Sequence, residues 1–250
     1  MSPRAVLLFD IDGVIRDVGG SYRKAIVETV HHYSGQRPSP ESIDALKAEG
    51  CWNNDWEASL ELLRRQGQQE LPAFEALVEV FNSFYFGGDP EGDPAAWAGF
   101  IRNEPLLVDP TFFASLSAAE VAWGFVSGAE PPSARFVLET RLGLRQPPVI
   151  AMGDAPDKPD PSGFLRLADA LAAATVPVAY LGDTVADVTT VVRARQERPA
   201  QRFISLAVAP PHLQSSPRRR AYEEQLRAAG ADAVIANTSA VLAALEQAIA

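Results

Sequence analysis

Residues 5–14 read Ala-Val-Leu-Leu-Phe-Asp-Ile-Asp-Gly-Val: five apolar residues in a row, then two carboxylates, Asp10 and Asp12, one residue apart. A short apolar run without polar alternation predicts a strand buried on both faces, as in parallel sheets. Its abrupt end in acids predicts chemistry at the carboxyl edge of that strand. Outward from it, similar runs recur at Val121–Val126, Val149–Met152, Val178–Leu181, Phe203–Val208 and Ala233–Ala236. Between the later runs lie stretches of helical length: Pro132–Leu142, Pro161–Ala173, Thr184–Gln196, Ser216–Ala229 and Ser239–Ile249. The alternation predicts βαβ units and an α/β fold, with a parallel sheet covered by helices on both faces. Asp160-Pro161 adds a helix start signal, an N-cap followed by proline at the first helical position.

After the first strand no comparable run follows until Val121, and the intervening sequence reads as helices. One starts at Ser39-Pro40-Glu41 and stops at Gly50, with Ile43 and Leu46 on one face. Another runs from about Asp55 to Gln66 and places Trp56, Leu60 and Leu63 at i, i+4, i+7. A third, near Pro72–Tyr85, stacks Phe74, Leu77, Val78, Phe81 and Phe84. The pattern is a helical insert behind the first strand, bordered by Gly19-Gly20 and by Asn103–Pro105.

The 250 residues carry 22 Lys+Arg against 32 Asp+Glu, a formal net charge of −10, with 47% hydrophobic and 22% charged residues. Such a chain folds around a sizeable core and has room for a smaller second domain. The acidic balance excludes a general nucleic-acid or membrane-surface binder, which needs positive charge to meet phosphates. The single cysteine, Cys51, excludes an internal disulfide framework and fits a reducing compartment. Met-Ser-Pro-Arg and five apolar residues do not make a signal peptide, and no segment approaches the roughly 20 apolar residues of a membrane span. A soluble cytoplasmic protein is expected.

The polar chemistry falls where the strands end. The first run hands over to Asp10-Ile11-Asp12-Gly13-Val14, the second to Ser127-Gly128, and the fourth to Asp183-Thr184-Val185-Ala186-Asp187. Lys158 lies in the connection after the third. Ligands of open parallel sheets bind at that edge, so these segments predict one shared site. With this pattern the chain resembles the haloacid dehalogenase-like hydrolase superfamily, in its branch with a helical cap inserted after the first strand. Phe-Asp10-Ile-Asp12-Gly-Val is similar to that family's first motif, Phe-Val-Ser127-Gly to its second, Lys158-Pro-Asp-Pro to its third and Gly-Asp183-Thr-Val-Ala-Asp187 to its fourth. One alone is weak; four in order over nearly the whole chain are specific.

The resemblance implies a Rossmann-like parallel sheet core flanked by helices, residues 1–17 and 105–250, and an all-helical cap domain, residues 18–104. It points to the phosphoglycolate phosphatase and β-phosphoglucomutase branch. By the same resemblance, Asp10 is the nucleophile that forms an aspartyl-phosphate, and Asp12 is the general acid, then the general base for water. Mg²⁺ is held by Asp10, the main-chain carbonyl of Asp12 and Asp183, with Asp187 in support. Ser127, with Gly128 beside it, binds a phosphoryl oxygen, Lys158 offsets charge, and Gly13 lets the backbone approach the phosphate. The implied partner is a small-molecule phosphate ester, not nucleic acid or membrane, and the implied assembly is a monomer or homodimer. Val14 stands where many phosphatases have Thr, a variation shared with the β-phosphoglucomutase branch. Asp12 separates the chain from the dehalogenases themselves, which lack that acid.

Plainer readings compete. Asp10 and Asp12 suit strand ends and turns, Asp183 can cap the helix near Thr184, and Asp187 and Lys158 can be surface charges. In the insert, Lys47, Asn53, Asn54 and Asp55 cluster some forty residues after Asp10, where related enzymes place a loop that contacts the leaving group. The alternative is an Asn/Asp helix cap, with Trp52 and Trp56 packed in the insert's core. Arg16 contacts either an anionic substrate or a surface carboxylate. His31, His32 and His212 lack metal-ligand spacing. Beside a phosphatase, two functions fit: a sugar-phosphate mutase, and a non-catalytic regulator that binds phosphate or a protein.

Overall fold

The structure, a computed structural model, describes residues 2–49, 52, 54–213 and 217–250. Gly50, Cys51, Asn53 and Ser216 lie outside the described residues. The strands are β1 (Ala5–Phe9), β2 (Val121–Val126), β3 (Val149–Ile150), β4 (Val178–Gly182), β5 (Phe203–Val208) and β6 (Ala233–Ile235). They form one parallel sheet in the order β3-β2-β1-β4-β5-β6. The chain moves outward from β1 to one side, then returns to build the other side from β4. The strand order therefore reverses between β1 and β4, and it is at the carboxyl ends beside such a reversal that open parallel sheets bind ligands.

All five residues of β1 are buried, which is why its sequence does not alternate. Val6 and Leu8 point to one face and pack with Val178 and Tyr180 of β4. Phe164, Leu165 and Ala168 of α7 (Ser162–Leu171) and Val191 and Ala194 of α8 (Val185–Glu197) cover that layer. On the other face the Phe9 ring meets Phe112 and Phe113 of α5 (Pro110–Ala118) at 5.8 and 6.0 Å. Each such apolar side chain taken out of water contributes about 1.5–3 kcal/mol, so the strand that carries the first acids is among the most firmly held. The remaining helices here are α6 (Pro131–Arg135), continued by a π-helical stretch over Phe136–Arg141, α9 (Pro217–Ala229) and α10 (Val241–Ile249).

The chain divides into two compact units: residues up to Asp17 with Pro105–Ala250, which hold the sheet, and Val18–Glu104. The second unit contains α1 (Tyr22–Ser34), α2 (Pro40–Ala48), α3 (Asp55–Arg65) and α4 (Phe74–Tyr85). α1 packs on α3 and α4, and Tyr22 stacks on Tyr85 at 4.1 Å. Its two ends are tied by a buried hydrogen bond from the Ser21 hydroxyl to Glu104. Among the described residues, no helix is long and apolar enough to cross a membrane.

The expected third strand is shorter in the structure, ending at Ile150, with Met152 in an isolated bridge to Ala155. α1 and α5 had no counterpart in the sequence reading. The buried face of α1 is Ala25, Ile26, Thr29 and Val30, small or β-branched residues that give a weak apolar stripe.

Candidate active site

Asp10 is the first residue past β1, and its main-chain N–H donates to Leu181 O at 2.9 Å, so β4 fixes its backbone. The chain then turns tightly: Gly13 N–H donates to Arg16 O and Ile15 N–H to Ile11 O. Gly13 has φ +73°, and a Cβ there would lie 2.0 Å from Asp183 Oδ2. Glycine at this position therefore makes room for a carboxylate arriving from β4, a second reason for it besides close approach of a phosphate. Ser127 follows β2 and is buried; its Oγ accepts from Ala129 N–H at 3.2 Å, a tight turn in which the exposed Gly128 sits.

Asp183 follows β4, and Asp187 lies in the first turn of α8. Thr184, not Asp183, caps that helix, in a capping box: Asp187 Oδ2 accepts from Thr184 N–H and Oγ1–H at 2.9 and 2.6 Å. Asp187 Oδ1 accepts from Lys158 Nζ at 2.5 Å and lies 3.1 Å from the Tyr180 hydroxyl, which also donates to Val126 O at 2.6 Å. Asp187 is 1% exposed, which rules out the reading of it as a surface charge. Lys158 Nζ also stands 3.1 Å from Asp10 Oδ1, at ion-pair distance but without hydrogen-bond geometry, and among the described residues nothing donates a hydrogen bond to that buried oxygen.

The carboxylates of Asp10, Asp183 and Asp187 offer oxygens that all lie within 4.8 Å of one another, and all three residues are buried. Their proton affinities reflect burial first and that proximity second. Burial pushes the Asp10 carboxyl up to about 6; Lys158 and a Ser127 hydrogen bond oppose the shift, and Asp187 and Asp12 reinforce it. Burial, aided by Asp10 and Asp187, holds Asp183 well above the usual carboxylate range. Burial alone would raise Asp187 and lower Lys158. Their pairing overrides it, keeping Asp187 below its ordinary value and Lys158 well above its own. With Asp12, four carboxylates face two cations, Lys158 and Arg16. The surplus negative charge, the clustered oxygens and the unsatisfied Asp10 Oδ1 fit a hard divalent cation with oxygen ligands.

Arg16 is 0% exposed and donates through Nε to Asp12 Oδ1 at 2.6 Å, so its partner is an internal carboxylate. Lys47 Nζ donates to Trp52 O and Asp55 Oδ1 at 2.6 and 2.5 Å. Asn54 is the N-cap of α3, its side-chain oxygen accepting from the N–H groups of Trp56 and Glu57. The capping alternative thus describes Asn54, while Trp56 sets its ring edge-on to Phe74 and Phe81. Asn53 is outside the described residues. Sequence reasoning passed over Tyr180, although a hydroxyl in a strand buried on both faces must find a partner. It also passed over the Thr-x-x-Asp signature at 184–187, which spells a capping box.

A family model described as haloacid dehalogenase-like hydrolase matches residues 5–195. The chain belongs to that family. A curated relative from Phytophthora nicotianae, named imidazoleglycerol-phosphate dehydratase, is 31% identical over 191 residues, 75% of this chain. The match spans only 41% of that relative's length. Among solved structures, a phosphatase from Thermococcus thioreducens superposes with a TM-score of 0.63 at 21% identity, covering 88% of this chain and 98% of the other. A β-phosphoglucomutase from Clostridium difficile does so with a TM-score of 0.62 at 15% identity, covering 99% and 96%. At those identities the likeness establishes the haloacid dehalogenase-like fold and no more.

Proposed function

We propose that this haloacid dehalogenase-like hydrolase is a Mg²⁺-dependent phosphomonoesterase acting on a small phosphorylated metabolite. One observation carries the reading: a buried Asp10 with an unsatisfied oxygen beside Lys158, Asp183 and Asp187 at the carboxyl edge of β1 and β4. An Asp10 oxygen attacks phosphorus as the bond from phosphorus to the ester oxygen breaks. Asp12 gives its proton to that leaving oxygen, releasing an alcohol. Water then attacks phosphorus, its proton passes to Asp12, and the bond to Asp10 breaks to free inorganic phosphate. Ser127 donates a hydrogen bond to a phosphoryl oxygen, and Lys158 offsets negative charge on the transferring group. Asp10, Asp183 and the Asp12 carbonyl would hold Mg²⁺, with Asp187 in support. When bound it neutralises phosphoryl charge and draws the substrate toward a site otherwise repulsive to anions.

Residues 18–104 are proposed as the cap domain, and Lys47, Asn53 and Asn54 as its contribution to substrate choice; their place as one insert behind β1 supports this. A cytoplasmic location is part of the proposal, and the single cysteine, which fits a reducing compartment, supports it. A screen of phosphate release across small esters, with and without Mg²⁺, tests the reading. Sugar phosphates and phosphoglycolate belong in the panel, as do imidazole-bearing esters, since a relative is named for one. Release from several esters only with Mg²⁺ is expected. No release from any member would contradict it and favour a binding role. Isomer interconversion without release would favour a mutase, a reading that Val14 supports.

A further inference from the structure

We infer that Arg16 is a positioning residue: it orients the Asp12 carboxylate for proton transfer and does not contact substrate. The inference rests on the phosphatase reading above. A guanidinium with 0% exposure is costly unless its donors are matched, so its partners show what it is for. Nε donates to Asp12 Oδ1 at 2.6 Å, and a terminal nitrogen donates to the buried Ser133 hydroxyl at 2.8 Å, in α6. The backbone of Arg16 is pinned as well. Its carbonyl accepts from Gly13 N–H, its N–H donates to Ile11 O, and it bridges to Leu106. Both ends of the arginine are thereby fixed, one by the turn that carries Asp12 and the other by α6.

Asp12 itself is 27% exposed along its side chain and, among the described residues, pairs with Arg16 through Oδ1. That arrangement holds one carboxylate oxygen and leaves Oδ2 for the proton that goes to the leaving oxygen and later returns from water. A flexible carboxylate at a half-open turn would spend most of its time misdirected, and misplacement of an acid by about an ångström is costly to rate.

The test compares an alkyl phosphate, whose alkoxide must be protonated as it leaves, with an activated aryl phosphate, whose phenolate leaves without a proton. Arg16→Met should lower kcat/KM for the alkyl ester by about thirtyfold or more, part of the about 10²–10⁴ that a placed acid supplies, and leave the aryl value within about threefold. Turnover of the aryl ester should become limited by the second step, which still needs Asp12 as base, and show a burst of phenol. Ser133→Ala, which removes only a hydroxyl and keeps the fold, should produce the same split at about fivefold. It decides the matter alone if Arg16→Met does not fold. Equal losses on both esters, or no loss on either, would overturn the inference. Wild-type protein that releases phosphate from neither ester would instead overturn the phosphatase reading beneath it.

Discussion

Replacing Lys158 by methionine keeps the length of the side chain and removes one charge from the centre of the site. Its Nζ is 2.5 Å from Asp187 Oδ1 and 3.1 Å from Asp10 Oδ1, and both carboxylates are buried. Breaking a buried pair by deleting one partner costs about 3–5 kcal/mol, because the remaining charge stays out of water. For a chain of this size each kcal/mol moves Tm by about 2–4 °C, so Lys158→Met should melt about 6–20 °C below wild type near pH 8. The deficit should shrink toward pH 5. Asp10, already pushed up to about 6 with Lys158 in place, rises further without it and takes up a proton that relieves the repulsion. Thermal unfolding followed by circular dichroism in EDTA, at both pH values, reads the effect. A variant that melts within about 2 °C of wild type near pH 8, or one whose deficit grows in acid, would refute the reasoning.

Metal and pH should be linked in the wild-type protein. Asp10 is raised from 3.8 to about 6 in the folded state, so the stability it contributes is present below its unfolded value and lost as pH rises through about 6; Asp183, raised for the same reason, adds to the loss. In EDTA, Tm should therefore fall between about pH 4 and 7, and Mg²⁺ at about a hundredfold its Kd should restore about 2.7 kcal/mol, most at the alkaline end; a flat profile unaffected by Mg²⁺ would count against a cation site. Gly13→Ala meets both a left-handed φ, worth about 1–2 kcal/mol, and a clash with Asp183 Oδ2. Its fold should survive while the Mg²⁺-induced rise in Tm disappears, and retention of that rise would show that Asp183 is not needed for it. Tyr180→Phe leaves Val126 O without its donor and should cost about 1–3 kcal/mol in chemical denaturation. A neutral result would mean that the hydroxyl ties nothing together.

The sheet was readable because strands buried on both faces have no alternation to hide them, and Ala5–Phe9 is the clearest case. The gathering of Asp10, Ser127, Lys158 and Asp183 at one edge was readable for a related reason: in a parallel sheet every strand delivers its carboxyl end to the same side. Part of what escaped was decided by partners distant in sequence. Arg16 pairs with Asp12 only four residues away, but its burial depends on Ser133 in α6. Asp187 looked like a possible surface charge because nothing near it in sequence announces Lys158, 29 residues upstream. Asn54 and Lys47 stood open between substrate contact and helix capping because an amide and an amine carry no sign of the groups they will serve inside the insert.

The covalent role of Asp10 is the claim on which the rest depends, and it can be tested during turnover. Quenching the Mg²⁺-loaded enzyme in acid while it turns over a phosphate ester, then mapping its peptides by mass spectrometry, should find one phosphoryl group on the peptide containing Asp10. That mass should be absent from Asp10→Asn, which should also release no phosphate. A phosphoryl group on any other residue, or undiminished turnover by Asp10→Asn, would contradict the account.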